Sequence, residues 1–337
     1  MRRRTPATMG EDELLAWLRR QDSRLAELLG DDAALLPPSP DEGSRHQAVT
    51  VDSQIEGIHF LPGLDPAVVA HRLLAVNLSD LAAVGAEPVY AFLALAAPAD
   101  FPHKRFFRAL LDGCRFHGLR LAGGDLARAP AVTATLTLIG RQPDGGRWVR
   151  RDLAHPGDVL WVGGSLGESA LGRFLLGRIG RPDPLAAEHS LPAELLPAAR
   201  HSLRRHLRPE PQLALGKWLG SQPRAAGLDL SDGLAKDLPR LCAASGCGAA
   251  IEAASLPAPK EFQALCRALE VNPLETQLGG GEDYVLLFAL PPETHPPESF
   301  GCTAVGRIQN DRTLSLQGPV DCVELPALGW DHLSPRE

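Results

Sequence analysis

Six short segments of this chain set acidic residues among glycines and small apolar residues: GDDAALL (30–36), VTVDSQIEGIHF (49–60), NLSDLAAVGA (77–86), AGGDLAR (122–128), LDLSDGL (228–234) and GGGEDYVLLF (279–288). None is a charge run of the kind that lines a solvated face. Carboxylates brought together repel, and burial without partners favours their neutral form. If the segments meet in space, their natural partners are hard divalent cations. Mg²⁺ takes oxygen ligands and commonly shares them with substrate phosphates. The implied chemistry is the handling of a polyphosphate.

Each segment also has a plain local reading. Asp31 and Asp32 suit an Asx turn. Asp52 ends an alternating strand and can face water. Asn77 and Asp80 share one helix face, ordinarily a solvated one, although Leu78 and Leu81 flank it. Gly123, Gly124 and Asp125 suit a hairpin turn. Ser231 is an N-cap candidate, Asp232 suits a first helical turn, and Asp237 reads as solvated. Glu282 and Asp283 precede a strand. His59 suits either a ligand contact or a structural role. Their joint occurrence weighs against six separate local explanations.

Familiar alternatives are missing from the sequence. It has no GxxxxGK[ST] loop, no GxSxG elbow, no HExxH pair and no HRD/DFG set. VGGSLGES (162–169) lacks the GxGxxG spacing and reads as a tight turn.

The elements that must carry the acids follow from periodicity. EDELLAWLRRQ reads as a short amphipathic helix and QAVTVDS as a strand. DPAVVAHRLLAVNLSDLAAVGAEP is the clearest helix: Asp65 can cap it, Pro66 suits its first turn, and Gly85 and Pro88 follow its end. VYAFLALA reads as a buried strand, FPHKRFFRALLDGCRFHG as a helix, LRLAGGD as a strand and turn, and AVTATLTLIGR as a long alternating strand. A boundary falls near residue 150, giving domains 1–150 and 151–337. The second half predicts helices near 167–179 and 209–220, a strand-to-helix join at 227–244, the helix PKEFQALCRALE, and the strands YVLLFAL and CTAVGRI. Residues 180–208, rich in Pro, Ala, Arg and His, read as a surface excursion. The mixture points to two α/β (α+β) domains with mixed or antiparallel sheets rather than a doubly wound fold.

Composition agrees with a soluble globular chain. Of 337 residues, 44% are hydrophobic and 22% charged, and the net charge of -7 excludes a basic nucleic-acid footprint. The longest apolar run, VYAFLALAAP, is well short of the roughly 20 residues that span a bilayer. The MRRR start lacks an apolar stretch behind it and reads as mature chain. Six cysteines without CxxC spacing read as reduced thiols of a cytoplasmic protein.

Taken in order, GDDAA, D-x-x-x-EG-x-HF, NLSDLAA-x-GA, GGD, DLSDGL and GGEDY resemble the thiamine-monophosphate kinase family, within the aminoimidazole ribonucleotide synthetase-like superfamily. The resemblance runs from about residue 10 to LGWDHL at 328–333. It implies the two-domain synthetase-like fold, with an N-terminal domain carrying the ATP, Mg²⁺ and substrate site and the dimer contact. It implies ATP-dependent phosphorylation of thiamine monophosphate to thiamine diphosphate, several Mg²⁺ ions and a homodimer.

Residue by residue, the resemblance makes Asp32, Asp52, Asp80, Asp125, Asp229 and Asp232 metal ligands, with Thr50 and Val51 beside them. Gly124, Asp125, Arg151 and Ser231 become ATP contacts. His59, Glu282 and Trp330 face the thiamine substrate. The chain departs from the family pattern at three places. Val51 replaces a Thr and can offer only its backbone carbonyl; Leu126 follows GGD where Thr is usual; Val285 follows GGEDY where Glu is usual. The loop between Asp32 and Asp52 is also longer. The implied mechanism is in-line transfer with no general base, because the acceptor phosphate, with a second pKa of about 6, is already an anion. Metal ions and Arg151 would then offset the repulsion between the two phosphates.

Overall fold

Alternation of buried and more open positions over Gln47–Ile55 marks β2, the strand that carries Thr50 and Asp52. It belongs to a five-stranded sheet with β1 (Ala34–Leu36), β3 (Glu87–Ala97), β4 (Arg120–Arg128) and β5 (Thr133–Arg141), in the order β1-β2-β5-β3-β4. All neighbours are antiparallel except β3 and β4. The computed structural model describes residues 30–37, 46–179, 191–318 and 320–331, with residues 13, 16, 17 and 20 before them. Those four are helical, and the rest of the first expected helix lies outside the described residues.

One face of this sheet is covered by α1 (Pro66–Ala83) and α2 (His103–Phe116). Leu73, Leu78 and Leu81 of α1 and Phe106 and Leu110 of α2 pack on Leu93, Leu95, Leu136 and Leu138 of the sheet. The start of α1 is as expected: the Asp65 carboxylate accepts from Ala67 N at 2.9 Å and Pro66 begins the first turn.

The second sheet has seven strands: β6 (Val159–Val162), β7 (Ala226–Asp229), β8 (Gly248–Glu252), β9 (Leu286–Leu290), β10 (Thr303–Gln309), β11 (Leu314–Gln317) and β12 (Cys322–Glu324), ordered β12-β11-β8-β10-β6-β9-β7. Only β11 and β8 pair in parallel, so both sheets are mixed. The helices of this half are α3 (Glu168–Ile179), α4 (Leu196–Leu207), α5 (Leu213–Gly220), α6 (Leu234–Ser245), α7 (Phe262–Leu269) and α8 (Pro273–Gly279). No helix among the described residues is long and apolar enough to cross a membrane.

The end of α1 is wedged between the two halves. Ala82 and Ala83 share a core with Leu215 and Leu219 of α5 and with Leu286, Phe288 and Leu290 of β9. This position corrects the expectation of a solvated Asn77/Asp80 face. Apart from Asp80, α1 is buried along both sides of that face, Arg72, Asn77 and Ser79 included. Packing on both sides leaves Asp80 facing only the cleft and not a solvated surface.

Two further expectations are corrected. Residues 191–208 are not a loose excursion: α4 buries Ala199, Leu203 and Leu207 in the same core as Leu171 and Leu175 of α3, while 180–190 lie outside the described residues. GGD is not a hairpin turn either. β4 runs straight through it, pairing Gly124 with Leu93 and Asp125 with Ala94.

Candidate active site

β1 pairs only with Gln47 to Val49, so from Thr50 onward that edge of β2 is released. Asn77 fills the gap. Its Oδ1 accepts from Asp52 N at 3.0 Å, and its Nδ2 donates to the Leu73 carbonyl at 2.8 Å. Thr50 Oγ1 donates to Asp80 Oδ2. The period of two in β2 and the three-residue step from Asn77 to Asp80 in α1 thus bring four polar groups together.

The second half supplies Asp229 at the end of β7. Its backbone N–H donates to Asp32 Oδ1 at 3.3 Å, and its Oδ2 accepts from Ser79 Oγ at 2.6 Å. Beyond it, two loops zip together: Leu230 N donates to Val285 O at 2.9 Å, Tyr284 N to Leu230 O at 2.9 Å, and Glu282 N to Ser231 O at 2.7 Å. Glu282 and Tyr284 adopt left-handed backbones, with φ of 57° and 49°. Such conformations are uncommon outside glycine and gather at functional sites.

Ser231 is not the cap of α6, and Asp237 is not solvated. The cap position is Gly233, and the buried Asp237 reaches back from inside the helix. Its Oδ2 accepts from Asp232 N at 2.9 Å and Gly233 N at 3.1 Å. Arg240 Nη1 lies 2.8 Å from Asp237 and 2.9 Å from Asp232, and Lys236 Nζ lies 3.3 Å from Asp232.

Asp32, Asp80 and Asp229 each offer a carboxylate oxygen, all within 4.8 Å of one another. Burial pushes Asp52 up to about 7, with help from Asp232 and Asp32. Burial also raises Asp80 and Asp229 well above the usual carboxylate range, with further repulsion from Asp52 on Asp80 and from Asp32 on Asp229. Arg151 stands against the cluster, its Nη2 3.0 Å from Asp32 Oδ1, while its backbone N–H donates to Asp31 at 2.7 Å. One arginine does not balance four converging acids. An all-oxygen donor set with unrelieved repulsion fits a hard divalent cation.

The cluster opens into a cleft of about 1040 Å³. Every site residue expected from the sequence lines it except Gly124 and Asp125. His59, Glu282 and Trp330 line the same cleft as the acids. His59 Nδ1 accepts from Ile55 N at 3.0 Å, which leaves the ring proton on Nε2. Trp330 is held by its backbone: its N–H donates to Asp232 O at 3.1 Å, and Lys236 Nζ donates to its carbonyl. The Arg173 guanidinium lies 5.9 Å from the centre of its ring.

Asp125 is placed elsewhere. Two strands, β5 and β3, separate β2 from β4, roughly 14 Å at the usual spacing. Asp125 is also in register with Ala94, Thr135 and Ser53, on the face opposite Asp52. Within one chain it does not reach the cluster. Sequence reasoning also passed over Gln54 and His206, which line the cleft, and Arg72, which joins both to Glu282. An arginine two helical turns before Asp80, amid the apolar residues of α1, is the signal that marks one of them.

Comparison with known proteins bears on this arrangement. Residues 30–142 match the family model of the AIR synthase related protein N-terminal domain, and residues 155–317 match that of its C-terminal domain. The thiamine-monophosphate kinase of Escherichia coli K12 is 40% identical over 291 residues, covering 84% of this chain and 83% of that protein. The chain belongs to the thiamine-monophosphate kinase family. Among solved structures of that family, thiamine-monophosphate kinase from Stenotrophomonas maltophilia K279a is 31% identical, with a TM-score of 0.72 over 90% of this chain and 96% of that one. AaThiL, complexed with AMPPCP and TMP, is 28% identical, with a TM-score of 0.84 over 98% of this chain and all of the other. In this member of the family the stretch joining the two matched domains carries Arg151, set against Asp32.

Proposed function

We propose that this chain is the ATP-dependent kinase that converts thiamine monophosphate to thiamine diphosphate, releasing ADP. The observation that carries the reading is the meeting of Asp32, Asp80 and Asp229 in a cleft that His59, Glu282 and Trp330 also line. The acids, with divalent cations, suit a charged triphosphate, and the indole and carboxylate suit a cationic heterocycle. AaThiL, which holds AMPPCP and TMP together, supports the same pairing of ligands.

In the reaction a phosphate oxygen of thiamine monophosphate bonds to the γ-phosphorus of ATP, and the bond from that phosphorus to the β,γ-bridging oxygen breaks. The acceptor oxygen is already deprotonated at neutral pH, since a phosphate monoester's second pKa is about 6. The chain therefore needs no general base, and its work is positioning and charge. Arg151 supplies a fixed cation, with Ser231 as a further nucleotide contact; Gly124, like Asp125, could serve only a partner copy's cleft. Trp330 offers an aromatic face, His59 an Nε2–H donor and Glu282 a carboxylate to the thiamine moiety. Asp32, Asp52, Asp80, Asp229 and Asp232, with Thr50 and the Val51 carbonyl, would hold Mg²⁺. When bound, it neutralises phosphate charge and polarises the transferring group.

Asp125 enters this scheme through a second copy of the chain. The sheet face opposite α1 exposes Val51 (57%), Tyr90 (40%) and Phe92 (39%), and β4 is an open edge strand. A homodimer formed on this face covers those side chains and can bring Asp125 of one copy to the cleft of the other. The cysteines, all six unpaired, favour the cytoplasm as its compartment.

The test is an ADP-release assay with thiamine monophosphate, with thiamine, and without acceptor. Turnover that depends on thiamine monophosphate is expected. Asp52→Asn should lower kcat by about 100-fold or more, since metal-assisted charge stabilisation is worth several kcal/mol. ATP loss that ignores the acceptor, or a near-normal Asp52→Asn enzyme at limiting Mg²⁺, would sink the reading.

A further inference from the structure

Behind Glu282 lies a buried cation that none of the roles above uses. Arg72, on α1, is 1% exposed, and its guanidinium joins three separate elements. Nε donates to Gln54 Oε1 of β2 at 3.3 Å, Nη1 to the His206 carbonyl of α4, and Nη2 to Glu282 Oε1 at 2.6 Å. A planar guanidinium bonded in three directions cannot rotate without breaking a bond. Glu282 sits on the loop between α8 and β9 in the left-handed region, with its N–H tied to Ser231 O. Such a backbone persists only where its surroundings over-determine it.

We infer that Arg72 is a positioning residue for substrate recognition: it reaches Glu282 from inside the protein and aims that carboxylate into the cleft at the cationic ring of the substrate. The inference rests on the reading of Glu282 as a substrate contact. Exposure separates the two partners, since the Glu282 side chain keeps 21% of its surface open and Arg72 almost none, so a bound molecule touches the glutamate alone. The thiazolium ring carries a fixed positive charge, so the carboxylate must be both ionised and correctly pointed. Burial works to raise Glu282, yet the Arg72 guanidinium, with Arg173 contributing, holds it below the usual range. The other carboxylate oxygen lies 3.5 Å from His206 Nδ1. Burial, with Arg72 beside it, takes that imidazole down to about 3. It is therefore neutral, adds no second positive charge at the wall, and lies 3.2 Å from Ser169 Oγ.

The full chain is tested with Mg²⁺, reading KM and kcat for thiamine monophosphate and ATP and direct binding of thiamine monophosphate by calorimetry. The variants are Arg72→Met, Arg72→Lys, Glu282→Gln and the Arg72→Met/Glu282→Gln double variant. Arg72→Met should weaken thiamine monophosphate by about 30-fold or more, as truncating one partner of a buried charge pair does, and leave the KM for ATP within about 2-fold. Arg72→Lys, which keeps the charge but not the fork, should fall between wild type and Met. In the double variant, Arg72→Met should add less than about 2-fold to the loss from Glu282→Gln, because coupled residues are not additive. Equal losses for both substrates, or full additivity, would overturn the inference and leave Arg72 as a structural staple. If Arg72→Met does not fold, Arg72→Lys decides: an unchanged thiamine monophosphate KM overturns the inference. A Glu282→Gln enzyme with normal thiamine monophosphate affinity would remove the substrate reading of Glu282 and this inference together. A loss in Glu282→Gln without one in Arg72→Met removes the inference alone.

Discussion

Ser79 Oγ donates to Asp229 Oδ2 across 2.6 Å, tying α1 under the first sheet to the end of β7 in the second. Both residues are buried, and the bond spans 150 positions of sequence. The cluster of acids is therefore a property of the interface between the halves. Ser79→Ala removes the donor and leaves the carboxylate short of a partner. Its expected cost is about 1–3 kcal/mol, the range for leaving a buried polar group without its hydrogen-bond partner. Thermal or urea unfolding of the metal-free protein measures it, and an unchanged midpoint would show that the tie contributes nothing.

Without metal, the acids make the fold sensitive to alkali. Asp52 is raised from 3.8 to about 7, so between those values the folded chain binds more protons than the unfolded one. Its contribution is present below about pH 4 and lost as pH rises through about 7, with Asp80 and Asp229 shifted in the same direction. The unfolding free energy in EDTA should fall across that window by about a few kcal/mol, read from denaturant unfolding at each pH. Asp52→Asn should flatten part of the slope, and Mg²⁺ should restore stability most strongly near neutral pH. A flat profile in EDTA would contradict the electrostatic account.

Asp237 accepts two backbone N–H bonds at the head of α6 and pairs with Arg240. Asp237→Ala strands those donors and is expected to cost about 2 kcal/mol or more; Asp237→Asn, which keeps one acceptor oxygen, should cost less. Turnover should fall in both, because the loop so capped carries Asp232. Chemical denaturation beside steady-state kinetics checks the pair, and the solvated reading of Asp237 requires neither to change.

Gly124 has a φ of 150°, and a Cβ there would lie 1.7 Å from the Leu93 carbonyl. Gly124→Ala must push β4 away from β3. Its expected cost is about 2–4 kcal/mol in the absence of any nucleotide. If Gly124 served only to approach a nucleotide, the unfolding midpoint without ligand would be unaffected.

Local chemistry made much of this protein legible before any fold was known. The Asp65–Pro66 start of α1, the alternation of β2 and the class of mixed α/β domains follow from periods of two and 3.6 and from capping, which depend only on neighbouring residues. The six acid segments could be chosen by residue type and setting alone. Tertiary structure alone decided which faces are dry and which acids meet. Asn77 and Asp80 look solvated until a second sheet closes over α1. Asp237 looks solvated until its carboxylate is seen folded back onto the helix start. Asp125 looks like its fellow acids until the strand order sets it on the far edge. Arg72 and Glu282, 210 positions apart, carry no local trace of their pairing. Burial and long-range hydrogen bonds depend on the layer that packs from outside a segment, and no pattern within the segment records that layer.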